Sequence, residues 1–270
     1  MKRRRRAAYA VVVTGLATIL SVLVMHFVSG KALPPHAGEN PEGFRSAMIW
    51  LELVSSREEV FAVLGPYGSP EGTALRNQLD TANFYDFAFM TCYSLYNACL
   101  IYFVMHLQLY RLQSILKLRT FLGLGLILSA AMFIGDIVET TQLLTITKAH
   151  GPNAMLSSVV STLQYWTRVK WAAIFIVCLM LCAGYASYFR RIPSLLLPAI
   201  YAVAGVAGLV SISLPNARPL LETIASPAIA LGWVLSLFHA GVVAVRGPAG
   251  FALPEHLHAR RRVAAAQQDA

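Results

Sequence analysis

Five ionisable residues fall inside stretches that are otherwise apolar: Asp86, Asp136, Glu139, Arg168 and Lys170, with Asp80 just ahead of the first. Such groups cost about 2.5–3.5 kcal/mol each to place in hydrocarbon on insertion scales, so each needs a partner, a water-filled space or a function. Three carboxylates against two cations leave one acid in excess. That acid can hold a proton or serve a cation.

Their spacing arranges them. Asn83, Asp86, Met90, Tyr93 and Asn97 alternate steps of three and four, which puts them on one stripe of a helix. Ser157, Ser161, Gln164, Arg168, Trp171, Phe175, Cys178 and Cys182 follow the same alternation, and Asp136 and Glu139 are an i, i+3 pair. Lys170 stands about 160° around its helix from Arg168, because two residues advance the chain by about 200°. The two cations therefore cannot face one point. Arg168, whose planar fork suits a carboxylate, is the expected partner, with Lys170 meeting a carboxylate from the other side or snorkelling. The candidate site is a polar pocket of Asn83, Asp86, Tyr93, Asn97, Asp136, Glu139, Gln164, Arg168 and Lys170. The plainer alternative is an ion-pair network that only sets helix register.

Other chemistry has less support. His106 and His239 sit at comparable depth, as axial haem ligands would, but packing histidines are the expectation. His26, His36 and His150 show no metal-ligand spacing. Gly-x-Ser-x-Gly, a P-loop, His-Glu-x-x-His and Cys-x-x-Cys are absent. Cys92, Cys99, Cys178 and Cys182 all lie in apolar stretches, so no disulfide framework is indicated. No cofactor, metal or catalytic residue is assigned.

The elements that must position these residues are membrane spans. The chain of 270 residues is 57% hydrophobic and 13% charged, with a mean hydropathy of +0.58. A bilayer core of about 30 Å takes roughly 20 apolar residues, and six runs meet that length. They are expected at about 7–28, 81–109, 120–146, 156–188, 192–214 and 223–245. The fold class is therefore all-α, a polytopic bundle of six transmembrane helices. Residues 1–246 read as a single transmembrane domain and 247–270 as a flexible cytoplasmic tail.

Orientation follows from Lys and Arg in the loops. Fourteen lie on the side of the amino terminus and six on the other, over a longer loop length. Both termini are expected in the cytoplasm, and the location is the plasma (inner) membrane. The net charge of +9 sits at span ends, which reads as topology and argues against nucleic acid as a partner. The Met-Lys-Arg-Arg-Arg-Arg start resembles a signal peptide, but its apolar stretch of about 22 residues favours an uncleaved anchor.

The outer loop, 29–80, is expected to form a helical cap. Phe44, Ala47, Met48, Leu51 and Val54 recur at helical spacing opposite Arg45, Glu52 and Ser55. Ser56 and Glu59 have the form of a capping box, and Gly65-Pro66 would end that helix. Ala204-x3-Gly208 marks close packing in span five. No internal repeat is evident, which weakens an inverted-repeat transporter. Spans two, three and four should hold the polar core, with one, five and six as apolar support.

The function this implies is binding or transport of a small solute or cation, or proton-coupled transport, through the outer-half pocket. One alternative is a membrane-embedded enzyme acting on a lipid or isoprenoid, with Arg168 as an anion clamp. The other is a non-catalytic subunit or signalling component. The expected partners are the bilayer and a small solute, cation or lipid.

Overall fold

The computed structural model describes residues 2–30, 33–38, 43–108, 115–149, 156–188 and 195–246. Among the described residues there are eight α-helices: α1 Lys2–Ser29, α2 Ala47–Glu52, α3 Arg57–Leu64, α4 Pro70–Gln108, α5 Ile115–Ala149, α6 Ser157–Tyr188, α7 Leu196–Ser213 and α8 Ser226–Arg246. No strand occurs among the described residues. Six of the helices are long and apolar enough to cross a membrane, as those of a multi-pass membrane protein are. The expected tail, 247–270, lies outside the described residues, as do His150, Arg190 and Arg191.

The second span is longer than its apolar run predicts. Ser69 starts it, accepting from the Gly72 N–H at 3.1 Å, and Pro70 occupies the first helical position, where its missing N–H costs nothing. α4 thus begins in the cap layer and continues unbroken into the bundle. Between α7 and α8 the chain makes a 3₁₀ turn at Pro215–Ala217 and a π-helical turn at Leu221–Ala225.

The ends of α1 and α8 nearest the termini are tied together, because Arg5 donates to the carbonyls of Ala244 at 3.1 Å and Val245 at 3.0 Å. Higher up, Gly15 allows a close approach: a Cβ there would lie 2.8 Å from the Tyr96 ring and 2.9 Å from Leu237. Small residues serve the α6–α7 contact in the same way. A Cβ on Gly208 would run into the Phe175 ring and one on Gly205 would lie 2.7 Å from Leu179, in keeping with the Ala204-x3-Gly208 spacing.

The cap lies over the ends of α4, α5 and α6. Phe44, Ala47, Leu51 and Val54 are buried as their spacing predicts, together with Val60, Val63 and Leu64 of α3, against Leu79, Leu143, Ile146 and Leu163 of the bundle. Ser46 and Ser56 cap the two short helices, each accepting from the N–H three residues on at 3.3 Å. The reciprocal half of the capping box is displaced by one residue. Glu59 reaches back to the N–H of Ser55 at 2.7 Å instead of that of Ser56. Gly65, with φ of 75°, ends α3 as expected.

The α7–α8 turn holds the cap down. Glu222 accepts from the N–H groups of Arg45 at 3.1 Å and Ser46 at 3.4 Å, placing a carboxylate at the start of α2, where the helix dipole favours it. Arg218 donates to the Leu53 carbonyl at 3.1 Å and pairs with Glu59 at 3.5 Å. On the outer face of α3, Glu58 is fully exposed. The Glu58 backbone N–H and the Ser56 hydroxyl hold its carboxyl below the usual range.

Candidate functional site

The polar residues converge beneath the cap, on Lys170. Its Nζ lies 3.2 Å from Asp136 Oδ1 and 3.2 Å from Glu52 Oε2, and donates to Glu139 Oε1. Gly135 makes this possible. A Cβ there would stand 3.1 Å from the Lys170 Cβ, so the absence of a side chain brings α5 and α6 together at the step that carries Asp136 and Glu139. Tyr93 donates to Asp136 Oδ2 at 2.7 Å, and Thr140 donates to Asp86 Oδ2 at 3.2 Å. About two turns nearer the cap, Thr147 donates to Asp80.

The expected pairing through Arg168 is overturned: that side chain is exposed, and Lys170 is buried in its place. The rotation of α6 is decided by apolar burial. Val160 and Leu163 turn into the cap core, and Thr167, Lys170 and Ile174 continue that stripe at steps of four, three and four. Ser157 and Ser161, placed on the polar stripe by spacing alone, face outward with Arg168. Beside Arg168 stand exposed Tyr165 and half-buried Trp166.

Of the other expected pocket residues, Asn83, Asp86, Tyr93, Asp136 and Glu139 are brought together. Asn97 lies behind Tyr93, its Nδ2 bonded to the Tyr93 carbonyl at 3.1 Å. Gln164 supports the cap, donating to the Val54 carbonyl at 3.1 Å. His106 and His239 are buried among aromatic rings, with Tyr102 4.4 Å from the first and Phe103 5.6 Å from the second. All four cysteines are free thiols. Among the described residues no group of three or more His, Cys, Asp or Glu is arranged to hold a metal ion.

Glu52 is the member that spacing assigned to the wrong face. It lies on the same side of α2 as Met48 and Ile49, one turn back, and these three reach the interior together. Its Oε2 accepts from Trp171 Nε1 at 3.2 Å as well as from Lys170. Four carboxylates, Glu52, Asp86, Asp136 and Glu139, thus share the neighbourhood of one ammonium.

These groups form the floor and one side of a cavity of about 520 Å³, within the size range of small-molecule pockets. The opposite walls are apolar and come from elements expected to be support alone. Thr18, Ile19, Val22 and Leu23 of α1 face Ile229, Ala230, Trp233 and Val234 of α8. Ile19, Val22, Leu23, Ala230 and Val234 are also exposed. The cavity therefore opens between α1 and α8, above their crossing at Gly15 and Leu237. Among the described residues, three polar atoms on residues that line it have no hydrogen-bond partner: Asn83 Nδ2, Glu139 Oε2 and Ser226 Oγ.

Comparison with protein-family models, with curated proteins and with solved structures finds no match for this chain. Its chemistry has to be argued from the cavity itself. A space with apolar walls, a sideways opening and a charged end suits a molecule that is mostly hydrocarbon with one polar group.

Proposed function

We propose that this protein is an integral membrane protein that binds an amphiphilic molecule drawn sideways from the outer half of the bilayer, with its polar end at the Lys170 cluster. The observation that carries this reading is a single cavity bounded by exposed apolar residues of α1 and α8 and closed by Glu52, Asp86, Asp136, Glu139 and Lys170. The loop charges support placing the cap outside and both termini in the cytoplasm.

Binding is better supported than passage to the far side. Below the cavity, Tyr96 donates to the Trp233 carbonyl at 2.7 Å, and Tyr185, Tyr201 and Ser236 fill the interior behind it. Transport would require that half to open. A second reading, chemistry on the bound molecule, is favoured by the Glu139–Lys170 contact, since a carboxylate hydrogen-bonded to an ammonium is an acid–base pair. Release of an altered molecule from reconstituted membranes separates the two. An anion clamp at Arg168 has no place in either.

The test is to purify the protein in mild detergent, extract it with organic solvent and identify what co-purifies by mass spectrometry. An amphiphile enriched over the bulk lipid is expected with the wild type and should be depleted in Ala230→Trp, which fills the mouth. Equal recovery from both proteins overturns the reading.

A further inference from the structure

Given the binding reading proposed for this cavity, on which the inference rests, its charged end also constrains the kind of amphiphile. We infer that the ligand is an organic cation: a hydrophobic body bearing an ammonium or a comparable onium centre. The first argument is charge. Among the described residues lining the cavity, four carboxylates face one ammonium, and that ammonium is already engaged by Glu52, Asp136 and Glu139. An anionic head would meet four carboxyl groups with no free cation among these residues to receive it. A cationic head reduces the excess and gives the unpartnered Glu139 Oε2 a counter-charge.

The second argument is the rings. Phe89, Tyr93, Tyr96, Trp171 and Trp233 line the same space. They are held in fixed mutual geometry: Phe89 and Tyr93 centroids lie 5.0 Å apart, Tyr93 stacks on Trp233 at 5.7 Å, and Tyr96 meets Trp233 edge-on at 5.9 Å. Aromatic faces attract cations electrostatically, and they do so for onium groups too bulky to donate hydrogen bonds. The protein already uses one ring in this way, since Lys170 Nζ lies 4.9 Å from the Trp171 ring centroid. Carboxylates beside preorganised rings are the combination by which large, weakly hydrated cations are recognised.

The third argument excludes a bare metal ion. The carboxylates are spread around Lys170, and no set of three or more metal-ligating side chains is assembled among the described residues. The space is also far larger than one ion requires, and its remaining walls are hydrocarbon.

The experiment compares probes of one shape and opposite charge. Wild-type protein in nanodiscs is equilibrated by dialysis with tetraphenylphosphonium, with tetraphenylborate and with the neutral fluorophore N-phenyl-1-naphthylamine, and binding to empty discs is subtracted. The inference expects saturable tetraphenylphosphonium binding at least about tenfold tighter than tetraphenylborate binding. Glu139→Gln, which leaves Glu52 and Asp136 on Lys170, should weaken the phosphonium by about tenfold while sparing the neutral probe. Trp233→Leu should weaken the phosphonium without removing a charge. If the neutral probe binds and the phosphonium binds no tighter than the borate, the cation inference falls and the cavity reading stands. If none of the three binds, both fall.

Discussion

Two buried polar groups of this bundle make opposite use of the interior. Towards the termini, Tyr185 donates to Ser236 Oγ at 3.2 Å, Tyr201 shares the same hydroxyl at 2.8 Å, and the two tyrosine rings stack at 6.0 Å. That group is neutral, its hydroxyls are matched and its surroundings are filled. Towards the cap, Glu52, Asp86, Asp136 and Glu139 crowd one lysine beside an open space. The contrast separates structural polarity from polarity that awaits a partner. A satisfied neutral cluster fixes packing, whereas excess charge next to a void is tolerated only where something else completes it.

The strongest way to break that contrast is Lys170→Met, which strands three carboxylates and should cost about 3–5 kcal/mol, read as a lower unfolding midpoint in detergent. Combining it with Asp136→Asn and Glu139→Gln should recover much of the loss. No recovery would show that Lys170 matters for shape and not for charge. In the packed half, volume is the sensitive quantity. Gly208→Leu, driven into the Phe175 ring, should cost about 1–3 kcal/mol or more, whereas Ala230→Phe at the cavity mouth should change stability by less than about 0.5 kcal/mol.

Ser236→Val removes the hydroxyl that both tyrosines use and should cost about 1–3 kcal/mol in the same unfolding assay. Asp86→Asn sharpens the comparison from the other side. Removing one acid from an over-supplied cluster should leave stability within about 1 kcal/mol of wild type, or raise it, while weakening retention of a bound cation. The smallest effect belongs to Glu58 on the cap. Its carboxyl titrates below the usual range, so its contribution is present at neutral pH and fades as the pH falls through that lowered value. Glu58→Gln should remove that small contribution at neutral pH and flatten the acid limb of a pH–stability curve, so that variant and wild type converge at low pH.

The sequence makes some of this legible and hides the rest for definite reasons. Span positions and the stripe through Asn83, Asp86 and Tyr93 could be read because polar residues at helical spacing stand out in an apolar run. The choice between Arg168 and Lys170 could not be made from their own chemistry, since either cation suits a carboxylate. It was settled by Val160 and Leu163, ten and seven residues before Lys170, whose burial under the cap sets the rotation of α6. Glu52 was misassigned because α2 is six residues long, too short for spacing alone to say which of two faces meets the bundle. The walls on α1 and α8 left no trace in the sequence. An isoleucine that lines a void has the same letter as one that meets lipid.

The clasp between Glu222 and the start of α2 spans 177 residues of chain, and Arg218 reaches Leu53 across 165. A ribosome has therefore made the cap, and all of α4, α5 and α6, long before the residues that fasten the cap exist. The Lys170 ion pairs can assemble before those fastening residues are made, but the latch over the cap comes only with the α7–α8 turn and the wall bearing Trp233 only with α8. Completion of the chamber thus waits for α8. A chain stalled before the α7–α8 turn should carry an unlatched cap and a half-built binding surface, a form that membrane quality control could tell apart from the finished protein.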